Sequence, residues 1–394
     1  MTDVNVKSVW SAPGYIPALI AVAAAFGSWA MLLPVIPVAV LDSTGSAALA
    51  GASTGVFMVA TVVTQLFMPR VLRRFTYRSV IVMSAVLLGV PALLLSVSMS
   101  PAMVFFVSII RGMGFGAMTV SEAAIIPELV PRKFLGKATG IFGASGGLAQ
   151  MITLPVGLAV AERFGYFPVW ILALLVAAVG AAACFRIPAL KGEPAEPKIR
   201  GAAPGWIVLV LPALALVLMS GAYSLISNFL PAAIRESGVA ETAALGGIVL
   251  AVVNLAVMFA RLASGAIADR RGAPGALMIP AHLFGAAGMA GFAWCLHADS
   301  APAWIIATAF MYGIGFGLVQ NESLLSLYYR CPPSQMSLAS TVWNISFDGG
   351  QAAGSFLFGF LIVGIGAPWS FAVGAVILLL GLIGALTDFA RSPN

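Results

Sequence analysis

Four ionisable residues stand inside long apolar stretches: Arg111, Glu122, Glu322 and Asp348. A charge at the centre of a bilayer costs about 2.5–3.5 kcal/mol on insertion scales, so each needs a partner or a task. Asp348 is the sharpest case. It shares one helical face with Asn344 and Gln351, at spacings of i, i+4 and i+7. A carboxyl group in apolar surroundings can exchange protons near neutral pH. Asp348 is therefore a candidate proton or cation site, and the competing reading is a hydrogen-bonded acid that joins helices. Arg111 and Glu122 lie on one segment. At a rise of about 1.5 Å per residue they are roughly 16 Å apart, on the same face but beyond direct pairing. Arg111 is expected to take its partner from another helix. Glu122 and Glu322, nearer the segment ends, read either as gate acids or as solvated groups.

Uncharged polar residues add a second set of candidates. Ser220, Tyr223, Ser224, Ser227 and Asn228 make a stripe along one segment. Such stripes line a cavity or hydrogen-bond neighbouring helices. Gln320 and Asn321 make the end of another segment polar. Trp29 precedes two prolines and could stack on a ligand or pack. Gln150, Asn254 and the cavity-side candidates Asn344 and Gln351 complete the set. His282 reads as a proton relay or as a satisfied core histidine. Cys184, Cys295 and Cys331 are widely spaced, without a CxxC or Cys/His metal pattern, so no metal and no cofactor is expected.

The elements that must position these residues follow from composition. Apolar residues make up 61% of the 394 residues and charged residues 9%, with mean hydropathy +1.03. Soluble domains average about 25% charged. A soluble globule, a disordered chain and a nucleic-acid binder are excluded, and the lipid bilayer is the expected surrounding. About 20 apolar residues span a bilayer as a helix. Apolar runs and their breaks give twelve spans, at 15–40, 47–69, 79–99, 101–126, 137–160, 166–186, 206–231, 242–264, 274–297, 302–328, 337–363 and 367–388. The first run is too long for the core of a cleavable signal peptide and is expected to remain as a helix. With the N-terminus inside, 17 of the 20 Lys and Arg residues fall on the cytoplasmic side, Arg261 and Arg330 among them. Both termini are expected in the cytoplasm of a cell whose plasma membrane holds the chain. The fold class is an all-α integral membrane protein with twelve transmembrane helices in two pseudo-symmetric six-helix halves. Residues 1–186 form the first half and 206–394 the second. The polar, Pro- and Gly-bearing stretch 187–205 reads as a cytoplasmic linker.

An internal repeat supports the two halves. "GMGFG" at Gly112–Gly116 recurs as "GIGFG" at Gly313–Gly317, in the fourth span of each half. GxxxG pairs at Gly51/Gly55, Gly112/Gly116, Gly143/Gly147, Gly313/Gly317 and Gly350/Gly354 read as close helix contacts. No Walker lysine follows them, so they are not a phosphate loop. An ATPase and an integral membrane enzyme are not expected, since no His pair, GxSxG or metal-ligand set occurs.

At this point the chain resembles the major facilitator superfamily. "GAIADRRG", Gly265 to Gly272, is similar to the family's G-x-x-x-D-R-x-G loop, with Gly265, Asp269, Arg270 and Gly272 in place. In the family this loop is a latch between helices that changes with conformational state. Asp269 is expected near the start of the following helix, where its charge meets the positive dipole end. The first-half loop departs from the pattern: Arg73 stands where the acid belongs, and Pro69 and Thr76 replace glycines. Arg111 resembles in part the fourth-helix arginine common in proton-coupled members. "LPVG" at Leu154–Gly157 weakly resembles the antiporters' fifth-helix motif. "ASTVWNISFDGGQAAG" looks like the eleventh helix of the drug- and sugar-efflux branch. The resemblance implies a monomeric secondary transporter working by alternating access. The favoured expectation is proton-coupled efflux of lipophilic or amphipathic compounds. Proton-linked uptake of a small nutrient or organic anion, held by Arg111, is the alternative. A non-transporting membrane receptor is the remote one.

Overall fold

The computed structural model describes residues 7–192, 206–237, 244–298 and 301–391. Part of the expected linker, 193–205, lies outside the described residues. In hydrocarbon every backbone N–H and C=O must find a partner within the chain, so apolar runs of this length fold as helices. Among the described residues twelve form: α1 (Tyr15–Thr44), α2 (Ala47–Arg74), α3 (Tyr77–Gly89), α4 (Pro101–Leu129), α5 (Leu135–Phe164), α6 (Tyr166–Cys184), α7 (Trp206–Glu236), α8 (Ala244–Arg271), α9 (Met278–His297), α10 (Pro302–Arg330), α11 (Met336–Ile365) and α12 (Ala367–Arg391). All twelve expected spans are present, each long and apolar enough to cross a membrane. The third differs in form. Pro91 cannot continue an α-helix, and Val90–Ser96 continues α3 as a 3₁₀ helix.

Short-range chemistry sets several ends. Ser46, Thr76 and Ser100 cap α2, α3 and α4 by accepting from Leu49, Ser79 and Met103 backbone N–H groups. Pro101 and Pro302 open α4 and α10, where a missing N–H costs nothing. Gly45, at φ 67°, ends α1 in a left-handed turn that favours glycine.

The chain divides into two compact units. The first comprises Met1–Ala138, Phe142–Pro197 and Pro332–Asn344; the second comprises Thr139–Ile141, Lys198–Cys331 and Ile345–Asn394. Within the first, α2 and α3 flank α4, while α1 and α3 pack on α6. Within the second, α8 and α9 flank α10, while α7 and α9 pack on α12. The pairing is the same with every helix number raised by six. The start of the expected linker is tied to the first unit: Tyr77 N–H donates to Leu190 C=O and Gly192 N–H to Leu72 C=O.

Candidate functional site

The glycine triplets explain how α4 and α10 seat against two neighbours at once. Glycines four apart share a helix face, while the middle one points nearly opposite. A Cβ on Gly112 or Gly116 would strike the backbone carbonyls of Phe57 and Thr61 in α2; one on Gly114 would strike Leu87 and Ser84 in α3. In the second unit, Gly313 and Gly317 press on Val253 and Val257 of α8, and Gly315 on Ala281 and Gly285 of α9. Gly350 and Gly354 likewise admit Ser220 and Gly221 of α7 against α11. Gly51, Gly55 and Gly147 differ from expectation. Nothing lies within 4 Å of where their Cβ atoms would be. GxxxG arises by composition alone in a chain with 42 glycines, and only packing distinguishes the two kinds.

Close approach of α4 to α2 builds a small pocket in the first unit. Trp29 of α1, Phe57 of α2 and Arg111 of α4 line it, with Ser53, Thr54 and Ser108. Trp29 stacks on Phe115, with ring centroids 4.5 Å apart and planes 19° apart. Arg111 is 4% exposed. Its partner from another helix is not an acid. Nε donates to the Leu88 carbonyl at 3.0 Å, and the guanidinium lies 5.6 Å from the Phe57 ring centroid. Leu88 lies three residues before Pro91, which has no N–H to offer the 3₁₀ turn, so Arg111 occupies the freed acceptor. Arg111 Nη2 and Trp29 Nε1 are both buried without a hydrogen-bond partner.

Glu122, on the same helix as Arg111, is 1% exposed, and neither carboxyl oxygen has a hydrogen-bond partner. The two residues are not brought together. Glu322 sits in the opposite circumstances. Oε1 accepts from Ser264 Oγ at 2.9 Å, Oε2 accepts from the Gly275 N–H, and the Leu277 N–H adds a further bond. Asn321 also donates to Ser264, at 3.1 Å. Glu322 thus closes the α8–α9 loop and places a carboxylate at the start of α9. The sequence had offered Asp269 for that place. Instead α8 runs on through Asp269 and Arg270 to Arg271, and Gly272 ends it at φ 72°. Gly265 lies within the same helix.

Two basic residues of the second unit are held by polar partners. Arg261, counted among the cytoplasmic-side cations, is 6% exposed because α8 continues ten residues beyond it. Its Nη1 donates to Gln320 Oε1 at 2.6 Å. The equivalent α2–α4 bridge in the first unit is Gln65 to Thr119, at 3.2 Å. Arg330 is held by Asp388 through two bonds, of 2.8 and 2.6 Å.

The polar stripe of α7 divides between tasks. Ser220 is fully buried and donates to Ser346 C=O of α11 at 3.3 Å. Tyr223 donates to Asn254 Oδ1 at 3.4 Å and stacks on Phe316, with centroids 4.8 Å apart. Ser227 bonds its own helix, and Asn228 donates to Ser355 at 3.0 Å. On α11, Asn344 donates to Thr119 C=O at 3.3 Å within the first unit. Asp348 and Gln351 follow on the same helix, both half-buried. Gln150 is half-buried on α5. His282 is fully buried, with Nδ1 on Met278 C=O and Nε2 unpartnered. Among the described residues, no group of three His, Cys, Asp or Glu side chains gathers to hold a metal. Sequence reasoning missed the aromatic shelf of Phe57 and Phe115, and with it the joining of Trp29 to Arg111. A signal was present, since Phe115 recurs as Phe316 inside the repeated glycine triplet.

The sequence profile of the Major Facilitator Superfamily matches residues 18–347. No curated protein sequence matches the chain. Among solved structures, a bacterial homologue of the iron transporter ferroportin, in an outward-facing state, aligns with a TM-score of 0.77 at 13% identity, covering 96% of this chain and 100% of that one. The human organic anion transporter MFSD10 aligns at 0.76 and 16% identity, covering 94% and 98%. The proton:xylose symporter XylE, bound to 6-bromo-6-deoxy-D-glucose, aligns at 0.78 and 13% identity, covering 96% and 95%. At these identities the likeness establishes the fold.

Proposed function

Since the chain belongs to the Major Facilitator Superfamily, whose members are membrane transporters of small molecules, we propose that it moves amphipathic compounds by alternating access, driven by protons and directed outward. The observation that carries this reading is the first-unit pocket, where an aromatic shelf adjoins the buried, unpaired donors of Arg111 and Trp29. Apolar walls with a few convergent polar groups suit a ligand that is part greasy and part polar. No Walker loop occurs, so the driving force is an ion gradient or the substrate's own gradient, and this reading takes the former. Glu122 and Asp348 are the proton carriers of this reading. Glu122 has no hydrogen bond in its buried position, and Asp348 shares α11 with polar Asn344 and Gln351. Tyr223, Asn254, Ser227, Asn228, Gln320, Asn321 and Gln150 are the remaining cavity residues proposed. The Gly265–Gly272 segment that ends α8 serves as the latch, with Glu322 holding the turn that follows it. The protein works as a monomer in the plasma membrane, both termini cytoplasmic.

Proteoliposomes carrying an imposed pH gradient and an internal pH dye test the coupling. A panel of amphipathic anions, cations and neutral compounds is added in turn, with Glu122→Gln and Asp348→Asn alongside. Proton movement triggered by one class, and reduced in both variants, is expected. Substrate flux of unchanged size and pH dependence in both variants overturns the proton assignment. The sign of the proton movement relative to substrate movement separates export from uptake.

A further inference from the structure

Resting on the reading of the chain as a transporter, we propose that the α1–α2–α4 pocket takes the carboxylate of a flat, aromatic organic anion, with Arg111 and Trp29 as its two donors. The argument is one of unmatched donors. A guanidinium and an indole N–H donate and cannot accept. Arg111 Nη2 and Trp29 Nε1 are buried in the wall of one pocket, and each lacks an acceptor. Buried polar groups are normally satisfied, so two such donors on residues that line one pocket call for an acceptor from outside the chain, reached by a small shift of either side chain.

Charge selects the class of acceptor. No Asp or Glu lines the pocket. The Leu88 carbonyl and the Phe57 face orient the Arg111 guanidinium but leave its charge unneutralised. A cationic ligand would meet that charge with no acid to offset it. A sugar hydroxyl can accept from both donors but carries no charge to offset the guanidinium. A carboxylate supplies acceptors only, carries the complementary charge and matches the planar guanidinium edge. Shape selects the rest of the molecule. The pocket's space is about 20 Å³, room for the carboxyl end alone, so the ring is proposed to lie at its mouth against the apolar wall of Leu32, Ile36 and Pro37.

The second unit supports the assignment by contrast. Tyr312 occupies the place before the glycine triplet that Arg111 holds in the first. Its hydroxyl is spent on Met219 C=O, at 2.6 Å. The charge is a property of one half, not a requirement of the repeated packing.

The test uses the full chain in nanodiscs and three ligands that share one ring system: 2-naphthoate, 2-naphthamide and 2-naphthylmethylamine. Calorimetric titration is expected to show 2-naphthoate binding, the amide at least about tenfold weaker, and the amine not binding. Arg111→Gln is expected to weaken 2-naphthoate at least roughly tenfold, Arg111→Lys to fall between, and Trp29→Phe to weaken it about threefold. Equal affinity for acid and amide, preference for the amine, unchanged affinity in Arg111→Gln, or no binding of 2-naphthoate each overturns the proposal. Where Arg111→Gln fails to fold, the ligand series on the unaltered chain and the Arg111→Lys and Trp29→Phe variants decide. Counterflow of labelled 2-naphthoate into proteoliposomes, corrected for protein-free vesicles, separates the two readings. Binding without counterflow refutes the transporter and leaves the site. Flux of other compounds without 2-naphthoate binding refutes the site and leaves the transporter.

Discussion

In the first half Arg111 precedes the triplet Gly112–Gly116, and in the second Tyr312 precedes Gly313–Gly317. Around both triplets the backbone does the same thing: outer glycines admit one helix, the middle glycine another. An aromatic from the first helix of each half stacks on the triplet's phenylalanine, Trp29 on Phe115 and Tyr223 on Phe316. The polar chemistry then separates. Tyr223 and Tyr312 both spend their hydroxyls on neighbouring groups, whereas Trp29 and Arg111 keep unmatched donors. The carboxylates divide the other way. Glu322 is fully employed closing the α8–α9 loop, while Glu122 has no hydrogen bond. A repeat thus preserves what backbones need and leaves side chains at matching places free to differ between the halves.

The backbone side of that comparison breaks most visibly with Gly116→Leu and Gly317→Leu. Each forces a side chain into a facing carbonyl, and overpacking of this kind costs about 1–3 kcal/mol or more. Loss of the monodisperse peak in fluorescence-detected size exclusion is expected for both, and normal behaviour for Gly147→Leu, which has open space. If one half tolerates the change, the two triplets are not equivalent.

The chemical side is sharpened by Arg111→Gln against Tyr312→Phe. Transport is expected to fall at least about tenfold in the first, by loss of a charge-assisted contact. The second forfeits one hydrogen bond, about 1 kcal/mol of stability, and keeps flux within roughly twofold, as initial-rate measurements would show. Equal losses would erase the contrast.

A third pair compares the acids. Glu322→Gln weakens hydrogen bonds to a charged acceptor, about 1.5–3 kcal/mol, and is expected to lower the melting temperature in detergent. Glu122→Gln removes no hydrogen bond, so the melting temperature is expected to hold while the pH dependence of transport flattens. The reverse pattern would exchange their roles.

The smallest effect concerns a thiol between α10 and α11. Burial pushes the Cys331 thiol up to about 11, so little thiolate exists at pH 7.5 and the nucleophile is scarce. Maleimide labelling of the unaltered chain is expected to be slow there and to rise as pH approaches 11. Rapid labelling at pH 7.5 would mean that this segment opens.

Twelve spans and the half-chain repeat were legible because long apolar runs leave helices as the only option in lipid, and because the glycine triplets repeat. Two residues of the candidate pocket, Arg111 and Trp29, stood out in the sequence, but their grouping with Phe57 and Phe115 did not. Arg111 and Trp29 were separate candidates, since nothing in a linear pattern says that α4 approaches α1 at Phe115. Arg261 stood near the end of the expected span 242–264 and was counted with the cytoplasmic-side cations, whereas α8 carries its last polar turns as helix to Arg271 and buries it. Glu322 looked like a twin of Glu122 by position, yet its neighbours on α8 and in the α8–α9 loop give it a different task. Pro91 marked the carbonyl that Arg111 would take, a clue of local chemistry rather than of periodicity.

The most direct test of the central claim is paired flux of labelled 2-naphthoate and protons into proteoliposomes, for the unaltered chain and for Arg111→Lys. The account predicts saturable, proton-coupled movement in the unaltered chain and a clear loss of apparent affinity in the variant. Folded, reconstituted protein that moves no 2-naphthoate, or moves it identically after the substitution, would contradict it.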